Sequence, residues 1–457
     1  MDRADVAVIG AGIVGCAVAR RFALEGAKVV LIERGADILS GASKANSALL
    51  HTGFDAPPGS LELACMVEGR AEFLSIRDRL NLPLLETGAM VIAWDDPQEA
   101  RLEAIAAKAA GNGIADTRRL SADEVARREP HLAPARAALL VPGEHVIDPW
   151  SPALAYVLQA LAHGAEVLRS ADLLRGGFDG DGWELVTSRR VVHARTVINC
   201  AGLHGDHVEA QLLGHASFEI RPRKGQFIVF DKAAAGLLRT IILPVPTERT
   251  KGVVLCRTAF GNLLLGPTAE EQEDRDRPFT DTAVLQALLA EGTRMLPALA
   301  RMPITATYAG LRPATEDPGY RITHDPARNW ITLGGIRSTG LTAALGLAAH
   351  AWRLYQREGG SHVPPDILSW PQVPMLAEEG PRDWESPGYG EIVCHCEMVT
   401  RREIEAALAS ALPPGDLGGL RRRTRAAMGR CQGFNCLARL ARLTEGRLDP
   451  PLMVDGS

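Results

Sequence analysis

The stretch Asp5-Val6-Ala7-Val8-Ile9-Gly10-Ala11-Gly12-Ile13-Val14-Gly15 decides the fold. A short apolar strand runs directly into G-x-G-x-x-G, and the spacing predicts a helix over 16–25 and a second strand over 28–32, ending at Glu33. Each part has a physical job. Gly10 permits a tight turn, Gly12 lets backbone approach a pyrophosphate, and Gly15 lets the helix pack closely on the strand. The helix N-terminus offers free N–H groups and partial positive charge to phosphates. Glu33, eighteen residues past Gly15, stands where a carboxylate accepts hydrogen bonds from an adenosine ribose. The motif alone would fit a Gly-rich turn in any α/β domain. The ordered succession of strand, glycines, helix, strand and acid makes it a dinucleotide site.

A second Gly-rich junction helps to choose the dinucleotide. Residues 331–333 form an apolar strand, 334–342 read Gly-Gly-Ile-Arg-Ser-Thr-Gly-Leu-Thr, and an Ala/Leu-rich helix follows. Such a junction can bring another helix N-terminus to the far end of a long cofactor, where it would stabilise negative charge on a reduced flavin. An ordinary strand–helix turn remains the alternative reading. The sequence holds no second G-x-G-x-x-G for a nicotinamide nucleotide. The expectation is therefore FAD reduced by the substrate itself.

Outward from these motifs, the 457 residues are 46% hydrophobic, enough for two or three cores. The net charge of −5 and the absence of long Lys/Arg tracts argue against nucleic acid. The N-terminus lacks the pattern of a secretory signal. No run approaches the roughly 18 apolar residues of a membrane span, and the most apolar stretch, 341–352, carries His350. The expected location is cytoplasmic, with peripheral membrane association through a partner left open.

Short β-rich runs alternate with helical stretches up to about residue 360, an α/β pattern. The expected architecture is a discontinuous Rossmann-type dinucleotide domain (1–81, 146–215 and 301–360) with an antiparallel-sheet substrate domain (82–145 and 216–300). The proline-rich stretch 361–390 reads as a linker or surface strap. A small helical domain over 391–447 closes the plan.

Four of the eight cysteines crowd into that last domain: Cys394 and Cys396, then thirty-four residues, then Cys431 and Cys436. Clustered thiols in a reducing compartment read as metal ligands rather than disulfides. Four thiolates suit a [2Fe-2S] cluster or a structural zinc, with His395 able to replace one ligand. Thr400 and Glu403 make a capping box opening a helix through Leu408, and a further helix is predicted over 437–443. The basic run Arg421–Arg425 reads as a solvated helix face, as a dock for an electron-transfer partner, or as positive charge that steadies the cluster.

Several stretches resemble the glycine oxidase / D-amino-acid oxidase superfamily of flavoproteins: the N-terminal fingerprint, residues 41–53 (Gly-Ala-Ser-Lys-Ala-Asn-Ser-Ala-Leu-Leu-His-Thr-Gly), Asn199-Cys200-Ala201-Gly202, residues 308–313 (Tyr-Ala-Gly-Leu-Arg-Pro) and 334–342. Within it, the chain is similar to the flavoprotein subunits of anaerobic glycerol-3-phosphate dehydrogenases, with L-2-hydroxyglutarate oxidases next. The C-terminal cysteines with Met428-Gly429-Arg430 resemble the bacterioferritin-associated-ferredoxin-like domain of those subunits. The resemblance implies FAD and [2Fe-2S] cofactors, a CH–OH dehydrogenase and a small anionic substrate such as glycerol 3-phosphate. It implies electrons leaving through the cluster to an acceptor protein, subunit or quinone-linked carrier. A 2-hydroxy-acid substrate, an amine or imino-acid substrate, and an electron-transfer subunit without its own turnover are the alternatives.

Oxidising a carbinol requires hydride transfer to the flavin, a base for the hydroxyl proton and an anion receptor. His51 is the candidate base or orienting group, against a satisfied core histidine. Arg312 is the candidate anion receptor, against a structural salt bridge; a guanidinium grips carboxylate or phosphate through two parallel bonds. Lys224 and Arg337 are weaker anion candidates, and Tyr308 and Tyr320 could line the pocket. Cofactor contacts are expected from Gly10, Gly12, Gly15, Glu33, Ser43, Ser47, Ala201, Gly202, Gly335, Arg337, Gly340, Leu341 and Thr342.

Overall fold

The computed structural model describes residues 3–246 and 252–453. The first sheet is built around the strand Ala4–Ile9, which pairs in parallel with Val29–Ile32 on one side and Val191–Asn199 on the other. Val29–Ile32 continues in parallel to Glu166–Leu168, and Val191–Asn199 to Trp330–Gly334. The hairpin Leu173–Phe178/Trp183–Thr187 and the strand Arg321–Asp325 add antiparallel edges. Strands buried on both faces explain why Val6 to Ile9 and Val29 to Ile32 read as unbroken apolar runs.

Helix Ile13–Leu24 follows the glycine turn and packs between Ser151–Ala162 and Gly340–Arg357. It starts three residues before the sequence expectation, because the last residues of the fingerprint are wound into its first turn. Phe22 sits edge-on to Trp352, centroids 5.0 Å apart, inside a core of Ala, Val and Leu. Burying one such aromatic or aliphatic side chain is worth about 1.5–3 kcal/mol.

The second sheet holds Ile220–Phe230, Leu263–Gly266, Val254–Arg257, Ile241–Pro244, Ala89–Ala93, Ala137–Val141 and Arg118–Ser121 in that order. It is antiparallel except where Ile241–Pro244 meets Ala89–Ala93. One boundary shifts. The strand Ile304–Thr315, assigned from sequence to the dinucleotide domain, pairs with Ile220–Phe230 from Ile220 opposite Thr315 to Phe230 opposite Ile304. Arg312 therefore rides on the second sheet. Strand pairing is non-local, and nothing in residues 301–315 announces their partner.

The stretch 361–390 is a strap. Val373 enters the first core, its N–H donates to the Leu80 carbonyl, and Glu378 N–H donates to that of Ala259. Beyond it, helices Arg401–Ala409, Leu417–Thr424 and Leu437–Leu443 enclose a small core of Val393, Ile404, Leu420 and Leu440. The Thr400/Glu403 capping box is present as the sequence predicts.

The arginine run is not the solvated helix face of the first sequence reading. Arg422 and Arg423 are turned inward and fasten the small domain to the first. Arg423 pairs with Asp37 at 2.6 Å, both side chains at most 4% exposed. Arg422 donates to the Ile38 carbonyl, and Arg169 to that of Pro413. Arg430 pairs with Asp231 of the second sheet at 2.7 Å. Removing one partner of a buried pair strands the other charge, at about 3–5 kcal/mol. Asp37→Ala is thus expected to release the small domain: limited proteolysis should cut the 361–390 strap faster than in the parent protein, while residues 3–360 stay folded.

Candidate functional site

A cleft of 440 Å³ lies at the C-terminal ends of the parallel strands, between the two sheets. This is where open α/β sheets bind ligands. Its floor is the glycine turn. Gly10 has φ +100°, and a Cβ there would meet the Cys200 carbonyl oxygen at 2.6 Å. A Cβ on Gly15 would stand 1.8 Å from the Gly10 carbonyl oxygen. The helix can approach the turn only because neither residue has a side chain. Gly12 lines the cleft, and Ser43 Oγ accepts from Ile13 N–H at 3.1 Å, tying the segment 42–47 to the helix start.

Glu33 lines the cleft and accepts from the N–H groups of Ala11 and Gly35, both at 2.7 Å. Burial raises its pKa against the pull of those two bonds. Ser47, Ala201, Gly202, Arg337, Gly340 and Leu341 also line the cleft. Gly335 and Thr342 are not among its described lining residues. Gly335 turns the chain off its strand, and Thr342 Oγ1 accepts from His51 N–H at 3.0 Å and donates to the Leu49 carbonyl.

His51 is likewise not on the described wall. It lies beside Thr342, next in sequence to the lining residue Leu341. Its ring is held by a residue the sequence reading missed. Glu144, fully buried, accepts from His51 Nδ1 at 2.7 Å and from Thr52 N–H and Oγ1 at 2.5 and 2.8 Å. A carboxylate at Nδ1 favours the tautomer that carries its proton there. Ninety-three positions separate the two residues, and no local signal links them.

Arg312 lines the cleft and donates to the Thr268 carbonyl at 2.7 Å. It makes no ion pair among the described residues. Burial, then Arg223 and Arg337, push its pKa down to about 10, which leaves it charged at neutral pH. Lys224, by contrast, is 3.1 Å from Glu270 and does not line the cleft among the described residues. Tyr308 stacks on Phe227 and donates to the Asn46 carbonyl, and Tyr320 bonds Thr339. Both tyrosines hold walls rather than present a phenol to the cleft. Sequence reading also missed the mouth, where Asp276 bonds Arg34 and His204 and joins the two domains.

The four clustered cysteines are free thiols arranged as two contacting pairs, Cys394 with Cys436 and Cys396 with Cys431. The backbone N–H groups of Gly433, Phe434 and Asn435 point at the Cys431 sulfur, and Ala427 N–H at that of Cys436. Among the described residues, no three His, Cys, Asp or Glu side chains close around a single point. Two pairs cradled by N–H donors fit a two-iron cluster, in which each iron takes two thiolates, better than one tetrahedral ion. The cleft fits a dinucleotide on equal grounds: its floor has no room for a Cβ, and it lies at a helix N-terminus.

Comparison with known proteins agrees. The sequence profile of the FAD dependent oxidoreductase (DAO) family matches residues 5–354, and that of the BFD-like [2Fe-2S] binding domain matches residues 392–445. The chain belongs to the FAD dependent oxidoreductase family, with FAD and a [2Fe-2S] cluster as its cofactors. It is 29% identical over 445 residues to the glycerol 3-phosphate dehydrogenase of Caloramator mitchellensis, covering 95% of this chain and 92% of that one. It is 26% identical to a subunit of the anaerobic glycerol-3-phosphate dehydrogenase of Escherichia coli K12, covering 96% and 88%. The FAD-bound L-alpha-glycerophosphate oxidase of Mycoplasma pneumoniae superposes with a TM-score of 0.75 at 25% identity, covering 82% of this chain and all of that one. No helix among the described residues is long and apolar enough to cross a membrane.

Gly15→Ala is expected to yield folded protein without flavin, since the new methyl, 1.8 Å from the Gly10 carbonyl oxygen, displaces the glycine turn on the cleft floor. The flavin-to-protein ratio after purification checks this. A ratio equal to that of the parent would contradict the steric argument.

Proposed function

We propose that the protein oxidises sn-glycerol 3-phosphate, or a close anionic carbinol, at the secondary alcohol, and delivers the electrons through its cluster to a separate acceptor protein or subunit. The observation that carries this reading is Arg312: a half-buried guanidinium facing the cleft with no carboxylate partner among the described residues. A cation held partly out of water without a counter-ion is costly unless a ligand supplies one. The named activities of the relatives point to phosphate as that anion.

When bound, FAD accepts the hydride. The chain's own residues do the rest. Arg312 holds the anionic end of the substrate, with Arg337 adding positive charge nearby. His51 Nε2 takes the hydroxyl proton as the carbonyl forms, and Glu144 keeps the ring oriented and stabilises the imidazolium. Gly10, Gly12, Gly15, Ser43, Ser47, Ala201, Gly202, Gly340 and Leu341 hold the cofactor, Glu33 its ribose, and Gly335 and Thr342 shape its far end. Cys394, Cys396, Cys431 and Cys436 ligate the cluster.

An anaerobic visible spectrum, recorded before and after glycerol 3-phosphate and then 2-hydroxyglutarate, tests the proposal. Bleaching of the flavin by the first compound alone supports it; bleaching by the second alone replaces phosphate with a carboxylic acid. Arg312→Met should raise KM for glycerol 3-phosphate roughly ten- to a hundredfold, the worth of a hydrogen bond to a charged group of about 1.5–3 kcal/mol. Glu144→Gln should instead lower kcat, with KM little changed, because its effect falls on the base and not on the anion.

A further inference from the structure

The small domain is docked over one particular spot. Lys44, in the segment that lines the cleft, offers its carbonyl to the Trp150 indole N–H at 3.0 Å. Trp150 stacks on Phe260, centroids 5.3 Å apart and planes at 15°. The Arg425 guanidinium lies 4.0 Å from the centre of the Phe260 ring. Arg425 Nε donates to Glu397 at 2.9 Å, both side chains at most 5% exposed. Glu397 follows Cys396 in sequence, and a Cβ on Gly429 would touch both.

These four contacts make a continuous line from the cleft wall to a cluster ligand. It crosses all three units, since Trp150 precedes a helix of the first domain, Phe260 lies between strands of the second sheet, and Arg425 caps a helix of the third. Nothing in packing alone requires rings and guanidinium to line up in this order. Arg425 adopts φ +66°, a conformation uncommon outside glycine, at the point where it meets Phe260. Asp37–Arg423 and Asp231–Arg430 clamp the domain on either side of the stack.

We propose that Trp150, Phe260 and Arg425 form the bridge along which electrons pass from the flavin cleft to the cluster, and that the arginine interface exists to hold this bridge closed. The inference rests on the two cofactors and not on the identity of the substrate. Electron tunnelling falls steeply with distance and faster across gaps than through atoms in contact, so a packed line of rings outperforms a loosely filled interface. Each transfer moves one electron from reduced flavin to oxidised cluster, with no bond made or broken in the bridge. A one-electron acceptor then reoxidises the cluster before the second electron follows, and the flavin's protons leave to solvent.

The test uses the full-length protein carrying both cofactors, with the flavin photoreduced by an artificial donor so that no substrate is needed. Cluster reduction is followed by freeze-quench electron paramagnetic resonance. Phe260→Leu and Trp150→Leu are expected to slow cluster reduction at least tenfold, while Trp150→Phe, which keeps a ring, stays within threefold of the parent. Limited proteolysis of the 361–390 strap should match the parent in all three, which separates loss of the bridge from loss of docking. Should a leucine variant be cleaved faster, the comparison passes to Trp150→Phe and Asp37→Asn. The former should then keep the parent rate and the latter, with the rings intact but the domain loosened, should lose it. Leucine variants that reduce the cluster at the parent rate would overturn the proposal, as would equal slowing by Trp150→Leu and Trp150→Phe.

Discussion

The whole first domain depends on one close approach, that of helix Ile13–Leu24 to the backbone of its own turn. Gly15 meets the Gly10 carbonyl with no room for a methyl group, and Gly10 in turn rests on Cys200. Four distant segments then bind this same piece of backbone. Glu33 accepts from Ala11 N–H, Leu39 N–H donates to the Ala11 carbonyl, Ser43 caps Ile13, and Cys200 N–H donates to the Ile9 carbonyl. Because the helix start cannot move relative to the sheet, these segments line up around a helix N-terminus already polarised for a pyrophosphate.

The second sheet is placed by that frame rather than by itself. It brings Arg312 to the cleft on a strand that begins its pairing far upstream, and the mouth is closed by Asp276 reaching Arg34 and His204. The cleft is therefore cationic around Arg312, Arg337 and Arg275 because two layers meet there. Partial burial with no ion pair among the described residues makes Arg312 costly to keep charged, and perturbed groups of this kind cluster at functional sites. The small domain follows a similar rule. Its buried pair Arg423–Asp37 holds it over Lys44, Trp150 and Phe260, so the position of the cysteines relative to the cleft is set by electrostatics at an interface.

Much of this was legible in the chain. The turn at residues 10–15 with Glu33, the segment 334–342, the four cysteines and the Thr400 capping box are local patterns, each complete within a few residues or one supersecondary unit. Arg312 and His51 were legible as residue types in suggestive surroundings. Their partners were not: Glu144 lies 93 residues from His51, and Arg312's pairing strand lies in another segment altogether. The run Arg421–Arg425 misled for the same reason. Consecutive arginines look solvated until Asp37, Ile38 and Phe260 are brought to them by the fold.

By itself, then, the sequence determined the dinucleotide-binding class, the clustered set of four thiols and the α/β plan, because those depend on backbone conformations and residue patterns encoded over short spans, whereas FAD and the [2Fe-2S] cluster rest on likeness to known families. Tertiary structure alone decided which carboxylate holds the His51 ring, that Arg312 faces the cleft with no ion pair among the described residues, and how the cluster domain faces the flavin cleft. These are properties of contacts between segments tens to hundreds of residues apart, and a contact of that kind has no signature until burial and charge pairing select it from the many that the same residues could make.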